Sequence, residues 1–210
     1  MCGRFGLYTN IEVIKEEFDI DKVEGEYKPS YNIAPSHNAM VVVSGSTILK
    51  AMKWGLVPFW AKDEKMGYKM INARSETLLE KASFKHSFQR RRCIIPADGF
   101  FEWKNKKPVF IHAKGLVGFG GIYDRWKRSG KELVTFSIIT TEASSGLRKI
   151  HDRMPLIIAK KDREKWINSE TSIDKIVSMM KPSDKLDYYS VSTVVNSPKN
   201  NSKDCIKKVN

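Results

Sequence analysis

The chain has 210 residues, 41% of them hydrophobic and 29% charged, enough for one full hydrophobic core and outside the composition of a disordered chain. Its 37 Lys+Arg against 24 Asp+Glu leave a net charge of +13, which favours a polyanionic partner, nucleic acid first, although solvated lysines on an ordinary surface give the same count. No apolar run reaches the roughly 18 residues of a membrane helix, and the opening MCGRFGLYTN lacks the regions of a signal peptide, so a cytoplasmic protein with no membrane partner is expected.

In chain order, Asn10 is placed to cap a helix over residues 11–18, where Ile11, Ile14 and Phe18 recur at helical spacing. Two strands follow at 39–43 and 47–54, with Ser44-Gly45-Ser46 as the hairpin turn, and a short helix is expected over 76–82. From Arg92 the pattern is strand after strand, at 93–96, 99–103, 109–113, 116–126 and 133–140. Gly118-Phe119-Gly120-Gly121 continues into strand and reads as tight sheet packing, not a dinucleotide loop. Helices over 162–167 and 171–180 and a strand over 188–195 complete the chain. The expected class is α+β: twisted antiparallel sheets curling into a partial β-barrel, flanked by short helices. One domain over 1–198 and a basic tail over 199–210 are expected.

Three cysteines, Cys2, Cys93 and Cys205, are widely spaced and form no CxxC pair, so neither disulfides nor a bound metal is expected. The P-loop, GxSxG and HExxH templates are absent as well, and no cofactor is implied. Cys2 is the unusual placement. Removal of Met1 leaves an N-terminal cysteine whose α-amine, with a reference pKa of about 7.7–8.0, sits beside a thiol expected to fall below about 8.5 next to cations. Amine and thiol on adjacent carbons condense with an aldehyde to a thiazolidine. Taken alone, Cys2 is equally a small core cysteine that follows the start.

Three segments place an arginine two residues after a polar reactant: Cys2-Gly3-Arg4, Asn72-Ala73-Arg74 and His151-Asp152-Arg153. In extended chain, residues i and i+2 share a face. Three converging pairs would flank a reactive centre with guanidinium forks suited to phosphates. Glu102 lies among aromatics in GFFEW, where burial raises a carboxyl pKa, or else it faces solvent from an edge strand. His151 stands before Pro155 in a loop, the setting of a functional histidine as well as of a structural one.

The motifs MCGRF, YNIAPS, WGLVPFW, INARSET, RRCIIPADGFFEW, IHDRMP and VSTVVNSPKNN, in this order along nearly the whole chain, resemble the SRAP family of SOS-response-associated peptidases and abasic-site processing proteins. The resemblance implies that Cys2 attacks the ring-opened aldehyde of an abasic site in single-stranded DNA and stays attached through a thiazolidine. It also implies that Asn72 positions the sugar, that Glu102 moves protons, and that His151 opens the deoxyribose and later reverses the adduct. An accompanying lyase activity and self-processing are further implications. Arg4, Arg74 and Arg153 would contact phosphates, at about −0.7 of log–log salt slope each and roughly −2 together, and Pro35 and Trp60 would wall the pocket. Some relatives carry a second bulky aromatic after the position of Trp60, where this chain has Ala61, so weaker base contacts are expected on that side. Other readings of the same residues are an autoproteolytic cysteine peptidase with Cys2 and His151, and a non-covalent single-strand binding module. A monomer, associated with the nucleoid when on DNA, is expected.

Overall fold

The computed structural model describes residues 2–43 and 47–209; the predicted turn at Ser44-Gly45-Ser46 lies outside them. The elements are β1 (Phe5–Leu7), α1 (Ile11–Glu17), β2 (Lys22–Glu24), β3 (Ser30–Ile33), β4 (Asn38–Val43), β5 (Ile48–Trp54), β6 (Asn72–Arg74), α2 (Ala82–Arg90), β7 (Arg92–Lys104), β8 (Lys107–Arg128), β9 (Lys131–Glu142), β10 (Arg153–Pro155), α3 (Arg163–Ile167), α4 (Ile173–Ser178) and β11 (Asp187–Ser190). The α+β class holds. Strands β7, β8, β9, β5 and β4 hydrogen-bond in that order and β4 returns to β7, closing a ring without forming a regular barrel. Most pairings are antiparallel as expected, but β5 and β6 both run parallel to β9, and β2 parallel to β5.

The ring is closed by long strands. The four segments expected between 93 and 126 run as two, β7 and β8, with a register shift between Ala97 and Gly99. Asn105 and Lys106 join them with φ of 50° and 66°, the left-handed pair that a two-residue hairpin turn requires. Gly118 and Gly121 permit close packing: a Cβ at Gly118 would lie 2.7 Å from Ile94 Cγ2, and one at Gly121 would collide with Ile95.

Helix α1 forms where its cap and apolar spacing place it, with the Asn10 side chain accepting from the Glu12 amide at 2.8 Å and Ile14 buried. The helix expected over 76–82 is not there. Ser75–Thr77 makes a 3-10 turn, and the helix is α2, in which Phe84 and Phe88, one turn apart, bury the inner face. The strand expected over 188–195 stops at Ser190, because the Ser192 side chain caps a 3-10 turn at Thr193–Asn196. The stretch from Lys199 packs against the domain: Asn201 Oδ1 accepts from the Tyr31 amide at 2.7 Å, and Cys205 is buried. All three cysteines are free and buried. No helix among the described residues is long and apolar enough to cross a membrane.

Arg92 is the main buried polar tie. It is 1% exposed and donates to the carbonyls of Phe88, Gln89, Trp166 and Asn168 at 2.6–3.0 Å, satisfying the open C-terminal ends of α2 and α3 at once. Substitution Arg92→Met fills similar space but strands those carbonyls, and we expect a loss of about 3 kcal/mol or more in urea unfolding; a loss under about 1 kcal/mol would mean the helix ends find other donors.

Candidate active site

Cys2 is held inside the molecule by β1. Phe5 and Gly6 pair with Phe100 and Gly99 of β7, the Phe101 amide donates to the Arg4 carbonyl at 2.9 Å, and Phe5 packs edge-on against Trp54 and Phe119. The two residues after Phe100 thus bring Glu102 alongside the start of the chain. From the other side, Asn72 Nδ2 donates to the Cys2 carbonyl at 2.8 Å. Asn72 opens β6, which lies parallel to β9 with Arg74 opposite Thr140. Strand β10 pairs with the same stretch of β9, Pro155 opposite Thr140, so the loop carrying His151 reaches the same place. Cys2, Asn72, Glu102 and His151 therefore meet at one point, the Glu102 carboxyl acting electrostatically on both the Cys2 thiol and His151.

The electrostatics of the thiol differ from the expectation. Burial pushes the Cys2 thiol well above its ordinary value, and the Glu102 carboxyl pushes in the same direction. The thiol donates to the Arg4 carbonyl at 3.9 Å, so it rests neutral. The guanidinium that was expected to lower it points elsewhere. Arg4 Nη1 donates at 2.8 Å to both Asn32 Oδ1 and the Val195 carbonyl, and its guanidinium carbon lies 5.9 Å from the Trp103 ring centre. Glu102, 4% exposed, is raised by desolvation, an effect that His151 partly offsets.

The three arginines do not form one set. Arg4 ties the N-terminal strand to the C-terminal segment. Arg153 is held by Glu76, with Nη1 at 2.8 Å and Nη2 at 3.0 Å from the two carboxylate oxygens, and Nη2 also donates to the Thr140 carbonyl at 2.6 Å. Of the three, only Arg74 is exposed, and its guanidinium makes no hydrogen bond or ion pair among the described residues. It lines a shallow recess of about 360 Å³ with Glu142, Arg148, Asp152 and Arg153. A larger recess of about 710 Å³, lined by Leu116, Ile157, Met179 and Leu186, lies apart from all four converging residues. Among the described residues no group of His, Cys, Asp and Glu is arranged to hold a metal.

Pro35 is half-buried, and Trp60 is 46% exposed. Ala61 is buried, its carbonyl accepting from Trp126 Nε1 at 2.8 Å, so a bulky group there would displace the Trp126 contact. The exposed aromatic beside Trp60 in sequence is Phe59, 51% exposed, which the sequence reading missed. Its amide donates to Asp124 Oδ2 at 2.9 Å, and Asp124, itself buried, also pairs with Arg91. Three consecutive residues before Ala61, Pro58-Phe59-Trp60, were the available signal, but the anchor lies 65 residues away.

The family model for SOS response associated peptidase (SRAP) matches residues 1–198. The chain belongs to this family. It is 45% identical over 222 residues to the abasic site processing protein YoqW of Bacillus subtilis, covering 99% of each chain, and 47% identical over 217 residues to YoaM of the same organism, covering 96% of each. The abasic site processing protein HMCES of Gallus gallus is 33% identical, matched over 87% of this chain and 67% of its own length. A crystal structure of a Bacteroides thetaiotaomicron protein superposes with a TM-score of 0.90 at 29% identity, covering 99% of this chain and all of the other. In the SRAP fold of this chain, the Glu102 carboxyl makes a sign-definite prediction. Because burial raises its pKa, the folded state binds the proton more tightly than the unfolded state, and stability falls as pH rises from the ordinary carboxylate range through the raised value. Glu102→Gln removes that penalty. Its melting temperature should match the parent below the carboxylate range and exceed it at neutral pH; a difference independent of pH would contradict the burial.

Proposed function

We propose that this chain recognises abasic sites in single-stranded DNA, as a monomer, and joins itself to them through Cys2 once Met1 has been removed. The observation that carries the reading is the convergence on Cys2 of an amide, a carboxyl and an imidazole from three separate parts of the sheet. The names of its SRAP relatives supply the abasic site.

Each group then has work that its environment suits. Asn72 holds the Cys2 backbone through Nδ2 while Oδ1, buried without a hydrogen-bond partner among the described residues, is available to a sugar hydroxyl. His151 donates a proton as the deoxyribose ring opens to its aldehyde. The free amine of Cys2 adds to the aldehyde carbon, and the carbinolamine loses water to the imine. The thiol adds across the C=N bond, its proton ending on the ring nitrogen, so one water leaves in all. A thiol held neutral needs a base, and a buried carboxyl with a raised pKa shuttles protons near neutrality. Proton loss from the sugar carbon beside the imine instead expels the 3′ phosphate, which is the lyase activity that ring closure outcompetes. The same Cys2 centre carries out self-processing at Met1, and the adduct is reversed by returning protons through Glu102 and His151. Phe59 and Trp60 offer ring faces to bases beside the lesion.

In a denaturing gel, the mature protein should form a heat-stable complex with an abasic single strand and none with an intact one. Cys2→Ala should abolish it while binding the undamaged strand within about twofold, since base stacking and phosphate contacts carry that affinity. An undiminished complex from Cys2→Ala would overturn the proposal. Because Arg4 and Arg153 are committed inside the protein, Arg74 carries the arginine contribution to salt dependence. Arg74→Ala should flatten the log–log salt slope by about 0.7, and an unchanged slope would place the phosphate contacts elsewhere.

A further inference from the structure

We propose that Glu76 is a positioning residue that decides which ring nitrogen of His151 carries the proton; the inference deepens the role given to His151 above and rests on it. Glu76 sits in the 3-10 turn that follows β6. Its carboxylate grips the Arg153 guanidinium through both oxygens, and the same guanidinium is fastened to the Thr140 carbonyl of β9. The Arg153 side chain is only 11% exposed. A guanidinium held on two sides restrains the backbone that carries it, and the Arg153 amide donates to His151 Nδ1 at 2.9 Å.

Among the described residues, that nitrogen has two claimants. An amide N–H requires a bare lone pair on Nδ1, whereas Asp152 Oδ1, at 2.8 Å from the same atom, is attracted only if Nδ1 is protonated. Both cannot be satisfied in a neutral ring. The Arg153 backbone is held by the pairing of β10 with β9 and further restrained by the Glu76 clamp, while the Asp152 side chain is 83% exposed and free to turn to water. The amide therefore prevails, and neutral His151 carries its proton on Nε2. This makes the ring a proton donor, the state needed to assist opening of the deoxyribose. Loosening the clamp lets the amide move away, gives Nδ1–H to Asp152 and leaves Nε2 as a bare acceptor. The charged neighbours of His151 in this account are Asp152, Arg153 and, across the site, Glu102.

The test uses full-length protein labelled with 15N-histidine and long-range proton–nitrogen spectra at a pH where the imidazole is neutral. The parent should show His151 with Nδ1 unprotonated and Nε2 protonated. Glu76→Gln should shift the population toward Nδ1–H and slow crosslinking to an abasic strand by about tenfold, a fraction of what a lost general acid costs, with undamaged strand bound no more weakly than by the parent. Adding Asp152→Ala to Glu76→Gln removes the competing acceptor and should restore both the tautomer and the rate, a rescue that a merely structural role for Glu76 would not give. A parent spectrum with Nδ1 protonated, a Glu76→Gln spectrum identical to the parent, or failure of the rescue would each overturn the proposal. The spectra need no DNA, so a failure of the parent to crosslink would count against the function proposed above and leave the tautomer assignment to be judged by its own readout.

Discussion

Pairing of the first strand into the sheet, Phe5 against Phe100 and Gly6 against Gly99, is the constraint on which the site depends. An N-terminus is ordinarily a frayed end whose position no neighbouring group can rely on. Here the end is held between β3 and β7, with Phe5 packed on Trp54 and Phe119. A residue two positions from the start thereby acquires a fixed place relative to Glu102 on β7. Because β7 is also part of the closed ring, moving Cys2 would require opening strands that bury much of the core.

The second half of the site is organised around one point on β9. Strands β6 and β10 lie on either side of Thr140 and deliver Asn72 and the His151 loop from positions nearly 80 residues apart. Charge inside this region is mostly paired off. Arg4 and Arg153 are spent on internal carbonyls and carboxylate, and Arg92 on the ends of two helices, so much of the arginine excess serves architecture. What remains for an anionic ligand near the site is the exposed Arg74 guanidinium, Arg148 in the same recess, and the surface lysines. A thiol buried with a carboxyl is a poor resting nucleophile, so the reaction proposed for Cys2 depends on the transfer of a proton at the right moment.

How much of this was legible in the sequence depended on how local the signal was. The α1 cap and the glycine run of β8 are written in adjacent residues and appeared as expected. The four converging residues were visible through ordered motifs. The helix expected over 76–82 forms instead as α2 over Ala82–Arg90, whose buried pair Phe84 and Phe88 lies in a lysine- and arginine-rich stretch. The i, i+2 arginines were expected to flank the reactants as one set, but Arg4 and Arg153 bind Asn32, Val195, Glu76 and Thr140, partners distant in sequence. For the same reason the thiol was expected to be lowered by a neighbouring cation and is raised by burial and a carboxyl. Phe59 was overlooked because its exposure depends on Asp124 on β8.

The central claim is that Cys2 reacts as an amine and a thiol together. Intact-mass and peptide mass spectrometry of the protein after reaction with an abasic single strand tests it most directly. The account predicts loss of Met1, an adduct equal to protein plus strand less one water, and its location on the peptide beginning at Cys2 without any added reductant. An adduct found on a lysine and seen only after reduction, or a mature Cys2 that forms none, would contradict it.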